Sequence, residues 1–363
     1  MSHLRQIQLI QYRNYTHFAQ QFTSEIVCFC GNNGVGKTNI LDAIYSICCC
    51  KSYFNRADGS NTTHHLKGHR IDGWFLNANN KEDKVSLIFR ENNKKEICFN
   101  DVAYEKFSHH LGKFPCVMIA PDDVEIINGT SEVRRKFIDA ILSQTNIIYL
   151  QKLVGYNTLL QQRNALLKQW ESHTNSNFEL IEVLNAQLVL LGSYIYTQRK
   201  LFLEKFISAV NNLYAQISKS KEVIELDYIS QLKDDTFLNL LHKNLQQDIY
   251  LQRTTNGVHK DDVEVLLNKN KFKQIASQGQ KKSLLFALKI AEWQYIETIT
   301  HKPPILLLDD IFEKLDEQRL TSLLNIILQQ PNIQIFITHT QSEKLTSVFS
   351  DLKKEVQIIN IAT

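Results

Sequence analysis

Five consecutive apolar residues, Ile26 to Cys30, predict a buried strand, and Leu41, Ala43 and Ile44 supply apolar positions for a helix starting near Gly36. Leu4 to Ile10 alternates loosely and predicts an earlier strand, with Tyr12-Arg13-Asn14-Tyr15 at the turn after it. Lys51 to Asp72 is polar. Trp74 to Asn77, Val85 to Arg90 and Glu96 to Phe99 then predict short antiparallel strands joined by Asn/Lys-rich turns. Phe114 to Ala120 is another buried strand, stopped by Pro121. From Ser131 to Ser218 the period becomes helical. Tyr149, Leu153, Tyr156, Leu160 and Leu167 mark one apolar face. Ile181, Leu184, Leu188, Leu191, Ile195, Phe202, Phe206, Leu213 and Ile217 mark a second, beyond a polar break at His173 to Asn177. This predicts an antiparallel helical pair, a lobe rather than a long coiled-coil arm. A strand at Val223 to Ile229, a helix at Thr236 to Leu251 and a strand at Val263 to Leu267 follow. The α/β texture then returns, with a helix at Leu284 to Ile296, a strand opening at Ile305, a helix at Leu320 to Leu328 and a strand at Ile333 to Ile337.

The strand at Ile26 leads into Gly31-Asn32-Asn33-Gly34-Val35-Gly36-Lys37-Thr38, which fits the phosphate-loop pattern G-x-x-x-x-G-K-[ST]. Glycines let backbone N–H groups turn inward around a polyphosphate, and the helix N-terminus adds partial positive charge. Lys37 would reach the β and γ phosphates, and the Thr38 hydroxyl would hold Mg²⁺. Ile305 to Leu308 ends in Asp309-Asp310, the Walker B pattern of a buried strand delivering a carboxylate to that metal. Both motifs must meet on one parallel sheet, yet about 270 residues separate Lys37 from Asp309. A nucleotide-binding lobe made of residues 1–120 and 252–363, interrupted by a helical lobe at 121–251, satisfies that demand.

Composition narrows the rest. Hydrophobic content of 43% with 22% charged residues is that of an ordinary globular chain. A net charge of +3 calls for any nucleic-acid contact to be a local patch. Seven cysteines, mostly in apolar runs and without C-x-x-C spacing, predict reduced thiols in a cytoplasmic protein. The start of the chain has no apolar segment of signal-peptide type, and no run is expected to reach membrane-spanning length. His64, His65 and His69 have no acidic or cysteine ligand grouped with them and are expected in a solvated loop.

The order of these motifs, with Ser277-Gln278-Gly279-Gln280 before a helix, Leu315-Asp316 after Walker B, and Thr338-His339, resembles that of ABC-type ATPases. Within that class the sequence resembles the RecF family, recombination and repair ATPases related to the heads of structural-maintenance-of-chromosomes proteins. Five boxes carry the likeness. They are Tyr12-Arg13-Asn14-Tyr15 with the phosphate loop; Ala120-Pro121-Asp122-Asp123 with Arg134 to Asp139; Gln162 to Leu167; Gly257 to Asp262; and SQGQ with Asp309 to Arg319. Val258 and Lys260 depart from the family's usual Pro and Arg.

The resemblance implies an ABC-type P-loop ATPase head, α/β and discontinuous, with a mixed sheet, flanking helices and an inserted, mainly helical lobe. It implies ATP and Mg²⁺ as cofactors. Arg13, the loop from Gly31 to Thr38, Asn39 and Ser277 to Gln280 would contact the nucleotide, and Thr38 and Asp309 the metal. Lys37, Asp310 and His339 would be catalytic, Asp310 polarising water from the place where ABC transporters carry Glu. Two copies would sandwich ATP, each Walker A facing the other's SQGQ helix. The implied partners are duplex DNA and single/double-strand junctions, RecR with or without RecO, and through them RecA at gaps. No membrane partner is expected. Lys51, Arg56, Arg134, Arg135 and Lys136 are candidate DNA contacts. Two other classes stay open: a transporter's ATPase subunit, and a scaffold that binds ATP without hydrolysing it.

Overall fold

The apolar runs at Ile26 and Ile305 become neighbours-but-one in a five-stranded parallel sheet. Its members are β3 (Ile26–Cys30), β8 (Cys116–Ile119), β12 (Ile305–Leu308), β13 (Ile335–His339) and β14 (Val356–Asn360), in the order β14-β3-β13-β12-β8. Every residue of β3, β8, β12 and β13 is buried, as continuous apolar strands covered on both faces require. The chain is described here from a computed structural model over residues 3–54, 56–77, 79–170, 175–219, 222–311, 317–330, 333–341, 349–350, 352 and 354–362. It divides into two units, Met1–Asp123 with Phe286–Thr363, and Val124–Leu285.

The first unit adds a six-stranded antiparallel sheet, in the order β2-β1-β4-β5-β6-β7. Its strands are β1 (His3–Tyr12), β2 (Tyr15–Gln21), β4 (His69–Leu76), β5 (Glu82–Phe89), β6 (Lys95–Phe99) and β7 (Val102–Ala103). Helix α1 (Lys37–Cys49) packs on β4 and β5 of this sheet and on β8 and β13 of the parallel one. Eleven of its 13 residues are therefore buried, which explains an apolar composition too broad for a one-sided helix. Leu4, Ile7 and Leu9 from β1, Ile40, Leu41, Ile44 and Ile47 from α1 and Phe29 from β3 share one core. β14 has no counterpart in the sequence reading. His69 corrects the expectation of a solvated trio: it is buried at the start of β4, bonded to Thr62 Oγ1 at 2.9 Å, while His64 and His65 are exposed.

The second unit holds α2 (Glu125–Asn128), α3 (Ser131–Thr145), α4 (Ile147–Lys168), α5 (Asn175–Ser218), α6 (Phe237–Lys243), α7 (Leu245–Leu251) and α8 (Phe272–Ile275). With them goes a small antiparallel sheet of β9 (Ile224–Ile229), β10 (Asp262–Leu267) and β11 (Asn270–Lys271). α4 and α5 run antiparallel: Asn146 bonds Tyr194, Gly155 abuts Leu191 and Arg163 bonds Asn185, so residue numbers fall on one helix as they rise on the other. Residues 252–285 pack here, because β10 pairs with β9 along its whole length, and the boundary expected at residue 252 falls after Leu285. The single helix expected over Thr236 to Leu251 is two, α6 and α7, meeting at Asn244. Of the expected break at His173 to Asn177, residues 173 and 174 lie outside the described residues.

Contrary to expectation, α5 carries a stretch over Asn177–Ser218 long and apolar enough, by length and composition, to cross a bilayer. One face of it packs inward. Ile181, Leu188, Ile195, Phe202 and Phe206 are buried, and Arg199 in its middle pairs with Asp139 and Asp261 at 3.0 and 3.2 Å.

Three of the polar boxes join this unit together. Arg163 donates to Asp248 at 2.7 Å, with both side chains fully buried, and also to Asn185 and Thr254. Asn164 accepts the Thr254 N–H and hydroxyl. Arg134 forks onto Asp262 at 2.7 and 2.9 Å, and Arg135 donates to the Asp261 carbonyl. His259 accepts from the Tyr156 hydroxyl at Nδ1 and donates through Nε2 to the Thr254 carbonyl, and burial holds its pKa down at about 4. Removing one partner of a buried pair strands the other's charge. Arg163→Ala is therefore expected to cost about 3–5 kcal/mol in urea unfolding, and a loss below 1 kcal/mol would contradict that account of the box.

Candidate nucleotide-binding site

Because β13 lies between β3 and β12, all parallel, three C-terminal strand ends stand side by side. The first opens into the phosphate loop, the second into Thr338-His339 and the third into Asp309-Asp310. Brought together this way, the Thr38 hydroxyl donates to Asp309 Oδ1 at 2.9 Å and Oδ2 at 3.1 Å, across 271 positions of sequence. Lys37 is buried, and its ammonium donates to the carbonyls of Gly31 at 2.7 Å and Asn32 at 2.9 Å. Asn32, Asn33 and Gly34 form the exposed rim of the loop, and Val35 turns inward. His339 is buried beside the loop, its carbonyl accepting the Gly31 N–H at 3.3 Å.

The electrostatics suit a cation. Burial raises the Asp309 pKa, and the Thr338 and Thr38 hydroxyls oppose that rise; the Asp310 charge adds to it and Lys37 works against it. Asp310 takes a left-handed backbone, φ 45°, and its Oδ1 is buried with no hydrogen-bond partner among the described residues. A sealed carboxylate oxygen without a donor is costly unless a cation or water completes it. Hydroxyl and carboxylate oxygens are the ligands Mg²⁺ prefers. The residues fit that metal.

Behind the loop, one buried carboxylate gathers the chain. Asp42 of α1, fully buried, accepts from the Tyr12 hydroxyl, the Arg13 guanidinium, the Ser52 hydroxyl and the Tyr53 N–H. Arg13 also reaches Asn39 at 2.6 Å and Asn61 at 3.2 Å. Arg13, expected on the nucleotide, has its guanidinium held by these protein acceptors, beside the start of α1. Asn14 adds to these contacts, donating to the Val35 carbonyl at 2.9 Å and accepting from Asn39 at 2.7 Å. Gly36 is required here, since it takes φ 105° and a Cβ would lie 2.4 Å from Asn14 Nδ2. Asp123 of the APDD box also turns inward, accepting the Ala120 N–H and the Tyr53 hydroxyl.

The remaining predicted residues belong to the second unit. Ser277 caps α9 (Gln278–Thr300) in a reciprocal capping box: its hydroxyl accepts the Gln280 N–H at 3.2 Å, and Gln280 Oε1 accepts the Ser277 N–H at 2.8 Å. Ser277 and Gln278 are exposed, with Gly279 and Gln280 half-buried. Leu315-Asp316 lies outside the described residues. α10 (Glu317–Leu328) follows it. Sequence reasoning missed Asp42 and Thr338. A lone Asp inside an apolar helix was the available signal for the first; the second was noted only as the neighbour of His339 and given no role.

The AAA domain family model matches residues 6–362. The DNA replication and repair protein RecF of Flavobacterium johnsoniae is 38% identical over 99% of this chain and all of its own length. Its counterpart from Bacteroides thetaiotaomicron is 34% identical, covering 99% of this chain and 96% of its own. The chain belongs to the RecF family. A solved structure of the recombination mediator protein RecF with ATP, of the RecFOR pathway, superposes with a TM-score of 0.86 at 28% identity, covering 94% of this chain and 92% of that one. A Pyrococcus furiosus Smc head, at 15% identity and TM-score 0.53 over 100% of this chain and 94% of that one, shares the fold. This RecF-family chain thus has the fold of an ABC-type P-loop ATPase head with an inserted, mainly helical lobe. Because Arg13 neutralises a buried Asp42, Arg13→Ala is expected to lower stability by about 3 kcal/mol. Amide exchange across residues 31–38 should quicken with it, and unchanged exchange there would remove Arg13 from the loop's support.

Proposed function

We propose that this RecF-family chain is an Mg²⁺-dependent ATPase that dimerises around ATP, binds duplex DNA in that state and serves recombinational repair. The observation that carries it is the Thr38 hydroxyl on the Asp309 carboxylate at 2.9 Å, the pairing a P-loop site uses to share a metal. Thr38 and Asp309 would hold Mg²⁺, which when bound neutralises charge on the phosphates. Lys37, Asn39 and the loop N–H groups from Gly31 to Thr38 would hold the phosphates, with Lys37 exchanging its carbonyl partners for them. Asp310 would orient water, and its short arm and fixed left-handed backbone favour slow turnover. His339 would sense the γ-phosphate. A cytoplasmic setting suits seven free thiols.

The exposed start of the SQGQ segment at the N-terminus of the 23-residue α9 supports a composite site, because the partial positive charge of a helix N-terminus favours an anion. Each site would take Lys37 from one copy and Ser277 from the other. Lys37→Ala should abolish ATP binding, whereas Ser277→Arg should spare it and block ATP-driven dimerisation. Mixed together, the two variants keep one intact site per dimer. Recovery of part of the dimerisation and hydrolysis in that mixture, followed by sedimentation and phosphate release, is the expected result. Normal dimerisation of Ser277→Arg alone would reject the sandwich.

Of the five candidate DNA contacts, Arg134 and Arg135 are committed within the protein, and Lys136 pairs with Glu132 at 2.7 Å. Lys51 and Arg56 are exposed and show no ion pair among the described residues, so they are favoured. Contacts of this kind read phosphates, not bases. ATP-bound protein should hold unrelated duplexes about equally, with affinity falling steeply with salt. Lys51→Ala with Arg56→Ala should flatten that slope by about 2. Binding that ignores ATP, or that selects one sequence, would count against the proposal. The family's RecR, RecO and RecA connections belong to the same reading, as partners of the DNA-bound state at gaps and strand junctions.

A further inference from the structure

Thr338 is the one residue in hydrogen-bond contact with both acids after β12, among the described residues. Its hydroxyl donates to Asp309 Oδ1 at 2.7 Å and accepts the Asp310 N–H at 2.9 Å. The strand register explains the placement. Leu308 pairs with Ile337, so the next residue of β13 stands opposite Asp309, and the same residue pairs with Phe29 two positions before the phosphate loop. Thr338 is fully buried.

A hydroxyl has one proton and two lone pairs. With a lone pair taken by the Asp310 N–H, the proton is directed at Asp309. Asp309 Oδ1 thus receives two hydroxyls, from Thr338 and from Thr38 at 2.9 Å, while Oδ2 has only the longer Thr38 contact at 3.1 Å. The lone pairs left uncommitted collect on Oδ2. Meanwhile the bond to its N–H helps hold Asp310 in the left-handed turn, φ 45°, a conformation uncommon outside glycine. One hydroxyl therefore orients the Asp309 carboxylate and anchors the backbone of Asp310.

We propose that Thr338 is a positioning residue, which orients Asp309 toward the metal and holds the backbone turn that presents Asp310. The proposal rests on the reading of this site as an Mg²⁺–ATP site. Its geometric half, however, can be tested without nucleotide. Thr338→Val keeps the β-branched shape in the buried strand and removes only the hydroxyl, whereas Thr338→Ser keeps the hydroxyl. The experiment measures amide exchange at Asp310 in the nucleotide-free protein, and Mn²⁺ titration of nucleotide binding with turnover at saturating Mg²⁺.

In Thr338→Val, Asp310 exchange should quicken by about tenfold. The metal requirement should rise by a similar factor, turnover at saturating metal should fall, and Thr338→Ser should restore all three. Unchanged exchange in the Val variant overturns the geometric claim whatever the enzyme does. Faster exchange with unaltered metal requirement and turnover overturns the positioning role. If Val and Ser fail alike, the methyl packing matters instead of the hydroxyl, and the proposal is again rejected. Wild-type protein that shows no metal-dependent nucleotide binding, with exchange behaving as expected, would instead reject the nucleotide reading of the site.

Discussion

The register of β13 between β3 and β12 is the constraint on which this molecule depends. A phosphate loop and an acidic pair at opposite ends of the chain have chemistry in common only if their strands finish at the same level. Parallel pairing of Ile337 with both Cys28 and Leu308 places Thr38 and Asp309 within hydrogen-bond distance. A slip by one residue would turn each side chain to the other face of the sheet, and the site would vanish while the core remained apolar. The continuous apolar runs tolerate such a slip poorly only because α1 and the second sheet fill the space above them.

That filling explains why a charged residue sits at the centre of the core. A helix covered on two sides has no solvent-facing stripe on which to leave Asp42, so its charge must be met inside. Tyr12, Arg13, Ser52 and the Tyr53 N–H supply that compensation, and they come from the segments flanking the loop. A buried pair of this kind adds little net stability compared with apolar packing, yet it penalises any arrangement that leaves Asp42 alone. It acts as a specificity device for the loop's position. The second unit repeats the logic with Arg163–Asp248 and with Arg199 between Asp139 and Asp261, each joining segments distant in sequence.

The boxes that most resembled family signatures therefore divide by physics. Lys37, Thr38, Asp309 and Asp310 face one another at the strand ends. Arg13, Arg134, Arg163 and Asp262 carry equally conspicuous charges, but each is engaged with partners within the protein. A cation in a sequence string advertises a ligand contact and a buried ion pair in the same letters. Only the position of its partner tells them apart.

Much of the fold was legible in the chain alone. Short continuous apolar runs ending in Gly31 and in Asp309-Asp310 specify buried parallel strands and what they deliver, because backbone satisfaction and burial leave few alternatives for such runs. The helical period from Ser131 onward specified a lobe, since polar breaks and apolar spacing are local properties. Tertiary structure decided what depends on distant partners. It drew residues 252–285 to the second unit, because β10 needed β9, and it added β14, whose sequence VQIIN is too short and mixed to stand out. It turned Arg13 inward, buried His69 and set Thr338 between two acids. These are consequences of which strand lies beside which, and hydrogen-bonding groups far apart in the chain carry no local mark of the neighbour they will meet.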